Sequence, residues 1–155
     1  IITSFIEHIA SLETIDIVAG TATAGIAWAA ILADRLQKPM LYVRKSAKGH
    51  GHGQQIEGEF SEGAKVLLIE DLISTGSSAI NAIEALRGAK LEVIECLSIV
   101  SYDLSSAITA FDGQNINKHS LVNLTNIISF AESEGLLTHQ QREWELELIL
   151  QLMLN

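Results

Sequence analysis

Residues 65–78 read KVLLIEDLISTGSS, and the interpretation of the whole chain starts from them. The four apolar residues at 66–69 are typical of a buried strand, and the acidic pair Glu70 and Asp71 follows it. After two more apolar residues, the small residues at 74–78 open a helical pattern. A buried strand that leads through a short polar turn into a helix is the repeating unit of α/β proteins. This stretch therefore predicts an α/β fold.

The same alternation extends along most of the chain. Apolar runs predict further strands at residues 15–19, 40–43 and 93–100. Apolar residues at helical spacing predict helices at residues 26–36, 78–87, 105–111, 126–134 and 138–152. Because strands and helices alternate, we expect a mostly parallel central sheet that is flanked by helices on both faces.

Composition limits the classes of protein to which the chain can belong. Its 155 residues form one ordinary domain, and a hydrophobic content of 48% is enough for a buried core. The formal net charge of −9 disfavours general binding of nucleic acid. No apolar run approaches the roughly 20 residues of a membrane span, so we expect no membrane partner. The single cysteine, Cys96, is expected to be an inert buried thiol and fits a cytoplasmic location.

The acidic pair and the small residues after it indicate a ligand site. Ligands of parallel sheets bind beyond the carboxyl ends of the strands, where Glu70 and Asp71 would lie. Residues 74–78 would supply backbone N–H groups and hydroxyls at a helix N-terminus, which suits a phosphate. Carboxylates beside a phosphate cradle suit a sugar phosphate. The alternative interpretation is a capped helix after a buried strand, with two solvated acids.

Residues 45–55 read KSAKGHGHGQQ and break the alternating pattern. They offer no hydrophobic anchor beyond Ala47, so we expect a mobile surface loop. Arg44, Lys45 and Lys48 concentrate positive charge in an acidic protein, which indicates a site rather than a simple solvated connector. His50 and His52 could also be a metal pair, but no third ligand at a matching spacing is evident.

Taken together, three motifs resemble type I phosphoribosyltransferases. Residues 66–78, VLLIEDLISTGSS, resemble the family's signature for phosphoribosyl pyrophosphate. Residues 17–40, IVAGTATAGIAWAAILADRLQKPM, resemble its pyrophosphate loop and the helix that follows. Residues 42–58, YVRKSAKGHGHGQQIEG, resemble the flexible catalytic loop of the orotate branch of the family. The resemblance extends in continuous order from about residue 15 to residue 102.

The resemblance implies an enzyme, a pentosyltransferase of pyrimidine biosynthesis. It would join orotate to phosphoribosyl pyrophosphate, giving orotidine 5′-monophosphate and pyrophosphate. Mg²⁺ would be the cofactor, carried by substrate oxygens rather than by protein ligands. The partner would be a second copy of the chain, in a homodimer whose catalytic loops cross between subunits.

The resemblance also implies roles for individual residues. The implied catalytic residues are Lys48, Glu70 and Asp71, with the two carboxylates on the ribose hydroxyls. Ser74 matches the position that contacts orotate. The pyrophosphate loop would consist of Thr21, Ala22, Thr23 and Ala24. The residues that bind phosphoribosyl pyrophosphate would be Arg44, Lys45, Lys48, His50, Glu70, Asp71, Leu72, Ile73, Ser74, Thr75, Gly76, Ser77 and Ser78.

The chain departs from the family pattern at three places. Ala24 occupies a position at which some orotate enzymes carry a lysine, and Tyr102 lies where many carry an arginine for the orotate carboxylate. Family members also have an N-terminal hood over the base. We expect residues 1–155 to form a single phosphoribosyltransferase domain that lacks this hood. Two alternatives stay open: a non-catalytic regulator that binds phosphoribosyl pyrophosphate, and a transferase for a different base such as a purine.

Overall fold

The protein has a layered α/β architecture around one sheet, described by a computed structural model for residues 1–9, 11–46 and 55–154. The strands of this sheet are β1 (Ile17–Thr21), β2 (Met40–Val43), β3 (Ile56–Glu57), β4 (Lys65–Ile73), β5 (Glu92–Ser101) and β6 (Asn117–Asn123). The helices are α1 (Ile2–His8), α2 (Gly25–Leu36), α3 (Ser77–Gly88), α4 (Ser105–Gln114), α5 (Leu124–Ser133) and α6 (His139–Leu154).

The order of the strands creates the position for a site. They lie in the order β3-β2-β1-β4-β5-β6, and all neighbours pair in parallel except β2 and β3. The chain crosses from β1 to β2 on one side and later returns to β4 on the other side of β1. Ligands of open α/β sheets bind at such a switch point, beyond the carboxyl ends of the strands. The expected mostly parallel sheet is confirmed.

Two hydrophobic clusters cover the two faces of the sheet. Successive residues of a strand point to opposite faces, so Leu68 of β4 belongs to the cluster under α3 and α4, whereas Leu67 belongs to the cluster under α1 and α2. Both leucines are fully buried. The expectation of helices on both faces is therefore confirmed as well. None of the helices in the described ranges combines the length and the apolar character that crossing a membrane requires.

Four observed elements differ clearly from the sequence prediction. Strand β4 continues past residue 69, through the acidic pair to Ile73, because its backbone pairs with β5 as far as Ser101. The short strand β3, strand β6 and helix α1 were not predicted. Apolar and polar residues do not alternate regularly in the sequence of β6, NKHSLVN, because this edge strand is only half-buried. Helix α1 is a single short amphipathic segment. Both become ordered by packing against the rest of the domain, which local periodicity does not record.

Close backbone approach at Gly25 joins β1, α2 and β4. A Cβ atom at this position would lie 2.6 Å from the carbonyl oxygen of Ile69 and 2.8 Å from Oγ1 of Thr21. Real Cβ atoms do not come this close to other atoms, so the first turn of α2 can approach β4 only because residue 25 has no side chain. This contact fixes the turn between β1 and α2 beside the end of β4.

We expect Gly25→Ala to lower the free energy of unfolding by about 1–3 kcal/mol, because the added methyl group overpacks a rigid backbone contact. Chemical denaturation followed by circular dichroism measures this change. Gly88→Ala is the matched control, since its Cβ would meet no atom within 4 Å at the end of α3. The control should be neutral, or more stable by up to about 1 kcal/mol. Equal stability of the two variants would contradict the tight approach at residue 25.

Candidate active site

A cavity of about 470 Å³ lies at the carboxyl edge of the sheet, beside the switch point. Its walls include residues from three separate parts of the chain: Thr21, Ala22, Arg44, Lys45, Ser77 and Ser78. The sequence predicted these residues as a pyrophosphate loop, a cationic segment and a phosphate cradle. The fold brings the three segments together around one space.

The cradle is the N-terminus of α3, which begins at Ser77 after Gly76. Gly76 has a φ of 81°, in the left-handed region that favours glycine, and this turn reverses the chain from β4 into the helix. No side chain forms a hydrogen bond that caps the helix. The N–H groups of the first turn lack intrahelical partners in any helix, so here they are available to an anion.

Glu70 is buried within β4, three residues before the strand ends, with only 4% of its surface exposed. Its Oε1 atom has no hydrogen-bond partner among the described residues. Burial raises the pKa of this carboxyl, the nearby hydroxyl groups of Thr21 and Ser78 act in the opposite direction, and the negative charge of Asp71 raises it further. The alternative of two solvated acids therefore does not hold for Glu70. A buried carboxylate oxygen without a partner is costly for folding and is suited to a polar ligand.

Several other residues of the signature, among them Glu70, Leu72 and Ser74, line a smaller cavity of about 40 Å³. Ser77 and Ser78 line both cavities, so the two are adjacent. Asp71 is half-buried beside Glu70, and Thr75 is exposed, with its Oγ1 atom 3.2 Å from Oγ of Ser77. The Ile73 side chain belongs to the hydrophobic core. Any contact of residue 73 with a ligand would therefore use its backbone.

Cationic residues enter the large cavity from the end of β2. Arg44 is half-buried and forms an ion pair with Glu57, at 3.4 Å between Nη1 and Oε1. Lys45 is exposed and lines the same cavity. The predicted residues Lys48 and His50 lie outside the described ranges, as does most of the predicted loop, so these two roles stay predictions.

The turn between β1 and α2 has a buried and an open part. Thr21 is 3% exposed, and its hydroxyl donates to the carbonyl oxygen of Ile69 at 3.2 Å. Ala22 is half-buried, Thr23 and Ala24 are exposed, and the peptide bond between Ala22 and Thr23 is cis. Small side chains leave the backbone of this turn accessible to a ligand, as the sequence suggested.

Tyr102 lies in the stretch at the end of β5 that the sequence comparison with orotate enzymes singled out for its lack of an arginine. It is half-buried directly after β5, and its backbone N–H donates to the carbonyl oxygen of Ile73 at 2.9 Å. This hydrogen bond places residue 102 next to the end of β4. Residue 102 therefore lies beside the signature, but its tyrosine side chain is not a cation.

Sequence reasoning missed Asn81, which lines the large cavity one turn after the cradle. Residues three and four positions apart share a helix face, so Asn81 lies on the same face as Ser77 and Ser78. That spacing was a signal that could have identified it. Its contact with Gln55, by contrast, joins residues 26 positions apart and depends on the fold.

Chemically, the arrangement suits a phosphorylated sugar with a polyanionic leaving group. Backbone N–H groups and hydroxyls at the start of α3 can hold one phosphate. Arg44 and Lys45 can neutralise further negative charge on the other side of the cavity. Glu70 and Asp71 can accept hydrogen bonds from sugar hydroxyls and favour positive charge that develops on the ring.

Comparison with known proteins agrees with this geometry. The sequence model of the family described as "Phosphoribosyl transferase domain" matches residues 1–121. An orotate phosphoribosyltransferase of Bacillus mycoides (strain KBAB4) is 46% identical over 136 residues, which are 85% of this chain and 65% of the relative. The chain thus spans slightly less than two thirds of that relative's length.

Solved structures have the same architecture. The crystal structure of orotate phosphoribosyltransferase from Aeropyrum pernix matches with a TM-score of 0.75 and 31% identity, covering 88% of this chain and 75% of that one. The structure of Leishmania donovani UMP synthase matches with a TM-score of 0.79 and 26% identity, covering 97% of this chain and 31% of that one. The similarity therefore extends over the sheet and both helical layers.

We expect Glu70→Gln to unfold at a higher temperature than the wild type at pH 8. The folded-state pKa of Glu70 lies above the ordinary value of 4.5, so the folded protein binds more protons than the unfolded chain just above that pH. Wild-type stability therefore falls as the pH rises through the folded-state pKa of Glu70. The glutamine variant does not ionise at this position, so it does not lose stability in this way.

Thermal unfolding between pH 5 and pH 8 tests this dependence. The difference between Glu70→Gln and the wild type should shrink toward pH 5. Glu92→Gln, at an exposed residue at the start of β5, serves as the control for the loss of one negative charge. A difference for Glu70→Gln that is constant with pH would contradict the buried, costly carboxylate.

Proposed function

Because the chain belongs to the phosphoribosyl transferase family, we propose that it transfers the phosphoribosyl group of phosphoribosyl pyrophosphate to orotate. A bond forms between the ring nitrogen of orotate and the anomeric carbon, and the bond from that carbon to pyrophosphate breaks. The products are orotidine 5′-monophosphate and pyrophosphate, so the protein would act in pyrimidine biosynthesis. One observation carries the proposal: the shared cavity that joins the turn after β1, the cations after β2 and the start of α3.

Each wall of the cavity has a role in this reaction. The start of α3 would hold the 5′-phosphate, and Glu70 and Asp71 would hold the ribose hydroxyls. Because positive charge develops on the ribose as pyrophosphate departs, the two carboxylates would stabilise the transition state more than the ground state. Arg44 and Lys45 would neutralise the departing pyrophosphate. Ser74 would contact orotate, and this role is supported by its place in the wall of the small cavity that Glu70 also lines.

The residues present fit Mg²⁺ that arrives with the substrate. Within the described ranges, no three metal-ligating side chains are grouped as a protein cage would require. In phosphate sites Mg²⁺ is held largely by substrate phosphates and water, which leaves Glu70 and Asp71 available to the ribose hydroxyls. Carried by the substrate in this way, the ion would supply positive charge to the pyrophosphate and orient it.

The turnover of orotate is the direct test of this function, measured as loss of orotate absorbance with phosphoribosyl pyrophosphate and Mg²⁺. Adenine, guanine and hypoxanthine are assayed in parallel on the protein at its native length. Turnover with a purine alone would indicate a transferase for another base. Tight binding of phosphoribosyl pyrophosphate without turnover of any base would indicate a regulator. Either outcome would overturn the proposal.

We expect Asp71→Asn to lower kcat by roughly 10²–10³, because it removes one preorganised charge that faces the ribose while keeping the size of the side chain. Its melting temperature should stay close to that of the wild type, since Asp71 is only half-buried. Asp34→Asn removes the same charge from an exposed position on α2 and should keep wild-type turnover. Similar activity of the two variants would refute the role of Asp71.

We further propose a homodimer in which the segment that carries Lys48 serves the partner subunit's site. The proposal rests on the family to which the chain belongs. A cytoplasmic location, predicted from the single cysteine, likewise stays a prediction.

Mixed dimers of Lys48→Ala and Asp71→Asn test the crossing arrangement. If the segments cross, one site of each mixed dimer combines an intact Asp71 with an intact Lys48, and the other site carries both lesions. Refolding the two weakly active variants together should therefore restore part of the wild-type rate, whereas refolding each alone should not. A mixed dimer, proven by differential tagging, with no recovered activity would rule out crossing.

A further inference from the structure

Asn81 connects the phosphate cradle to the cationic side of the cavity. It lies on α3, one turn after Ser77 and Ser78, and it lines the same cavity as Arg44 and Lys45. Asn81 lies outside the signature stretch at residues 65–78.

The contacts of Gln55 make this connection specific. Its Nε2 atom donates to Oδ1 of Asn81 at 2.5 Å and to the backbone carbonyl oxygen of Arg44 at 2.9 Å. The backbone N–H of Arg44 in turn donates to the carbonyl oxygen of Gln55 at 2.8 Å. The side-chain amide of Gln55 is thus shared between α3 and the residue that follows β2.

The ion pair of Arg44 does not by itself fix this region. Its guanidinium and the carboxylate of Glu57 are each about one third exposed, at a distance of 3.4 Å. Ion pairs in contact with solvent contribute little, typically less than about 1 kcal/mol. Strand β2 is anchored by its pairing with β1, and the hydrogen bonds of Gln55 add a direct side-chain connection from the residue after β2 to α3.

We propose that Asn81 is a positioning residue for the phosphoribosyl transfer. Through Gln55, it holds Arg44 and Lys45 at the correct separation from the N-terminus of α3. The two ends of the phosphorylated substrate bind on these two walls, so the separation decides whether both can be engaged at once. The inference rests on the proposed function, because it assigns Asn81 to the same site.

Asn81→Ala is the first variant of the test. Removing one hydrogen bond of this kind is expected to lower kcat/KM for phosphoribosyl pyrophosphate about three- to tenfold. Gln114→Ala is the matched control, because its amide also bridges to α3, through Arg87 and Glu84, at the end far from the cavity. The control should stay within about twofold of the wild type. Equal losses in both variants would overturn the assignment.

A double-mutant cycle with Gln55→Ala tests whether Asn81 acts through Gln55. If it does, Asn81→Ala should lower kcat/KM clearly in the wild-type background and less than about twofold in the Gln55→Ala background. A merely structural effect of the alanine would be the same in both backgrounds. Losses that simply multiply would therefore overturn the proposal.

Binding of phosphoribosyl pyrophosphate in the presence of Mg²⁺, measured by calorimetry, separates this inference from the proposed function. This ligand engages both walls, and its binding requires no orotate and no turnover. Asn81→Ala should weaken its binding about three- to tenfold, with Gln114→Ala unchanged. If the wild type turns over no base, the proposed function fails, but the binding comparison still decides the role of Asn81. Equal affinity for phosphoribosyl pyrophosphate in Asn81→Ala and wild type would refute it.

Discussion

Parallel backbone pairing of β4 with β1 on one side and β5 on the other is the constraint on which the other features depend. It places β4 at the centre of the sheet, where residues 66–69 are fully buried between two helical layers. It also brings the carboxyl ends of β1, β2 and β4 to one edge. The turns that follow these strands therefore lie at the same edge, and their side chains and backbone N–H groups surround one cavity.

The same pairing buries Glu70. A carboxylate in a central strand would be unfavourable in a protein that needed only stability, since burial raises its pKa and leaves one oxygen without a partner among the described residues. In this position, however, the carboxylate is shielded from water and lines the small cavity beside the phosphate cradle. The cost of burying Glu70 for the stability of the fold and the usefulness of its carboxylate toward a ligand have the same cause. Both follow from the low-dielectric environment of the strand.

Charge is distributed unevenly around this edge. The protein as a whole carries a formal net charge of −9, yet Arg44 and Lys45 enter the cavity from the end of β2. A phosphorylated substrate would meet acidic groups on the ribose side and basic groups on the pyrophosphate side. The hydrogen bonds of Gln55 to Asn81 and to the backbone of Arg44 connect these two walls.

The sequence by itself determined the fold class, most of the strands and helices, and the three segments that form the site. It could do so because buried strands, amphipathic helices and small residues before a helix each leave a local pattern. The full length of β4 and the presence of β6 depended on pairing between distant strands, which no local pattern encodes. The burial of Glu70 and the bridge from Gln55 to Asn81 were likewise decided only by tertiary structure, because they join residues that lie far apart in the chain.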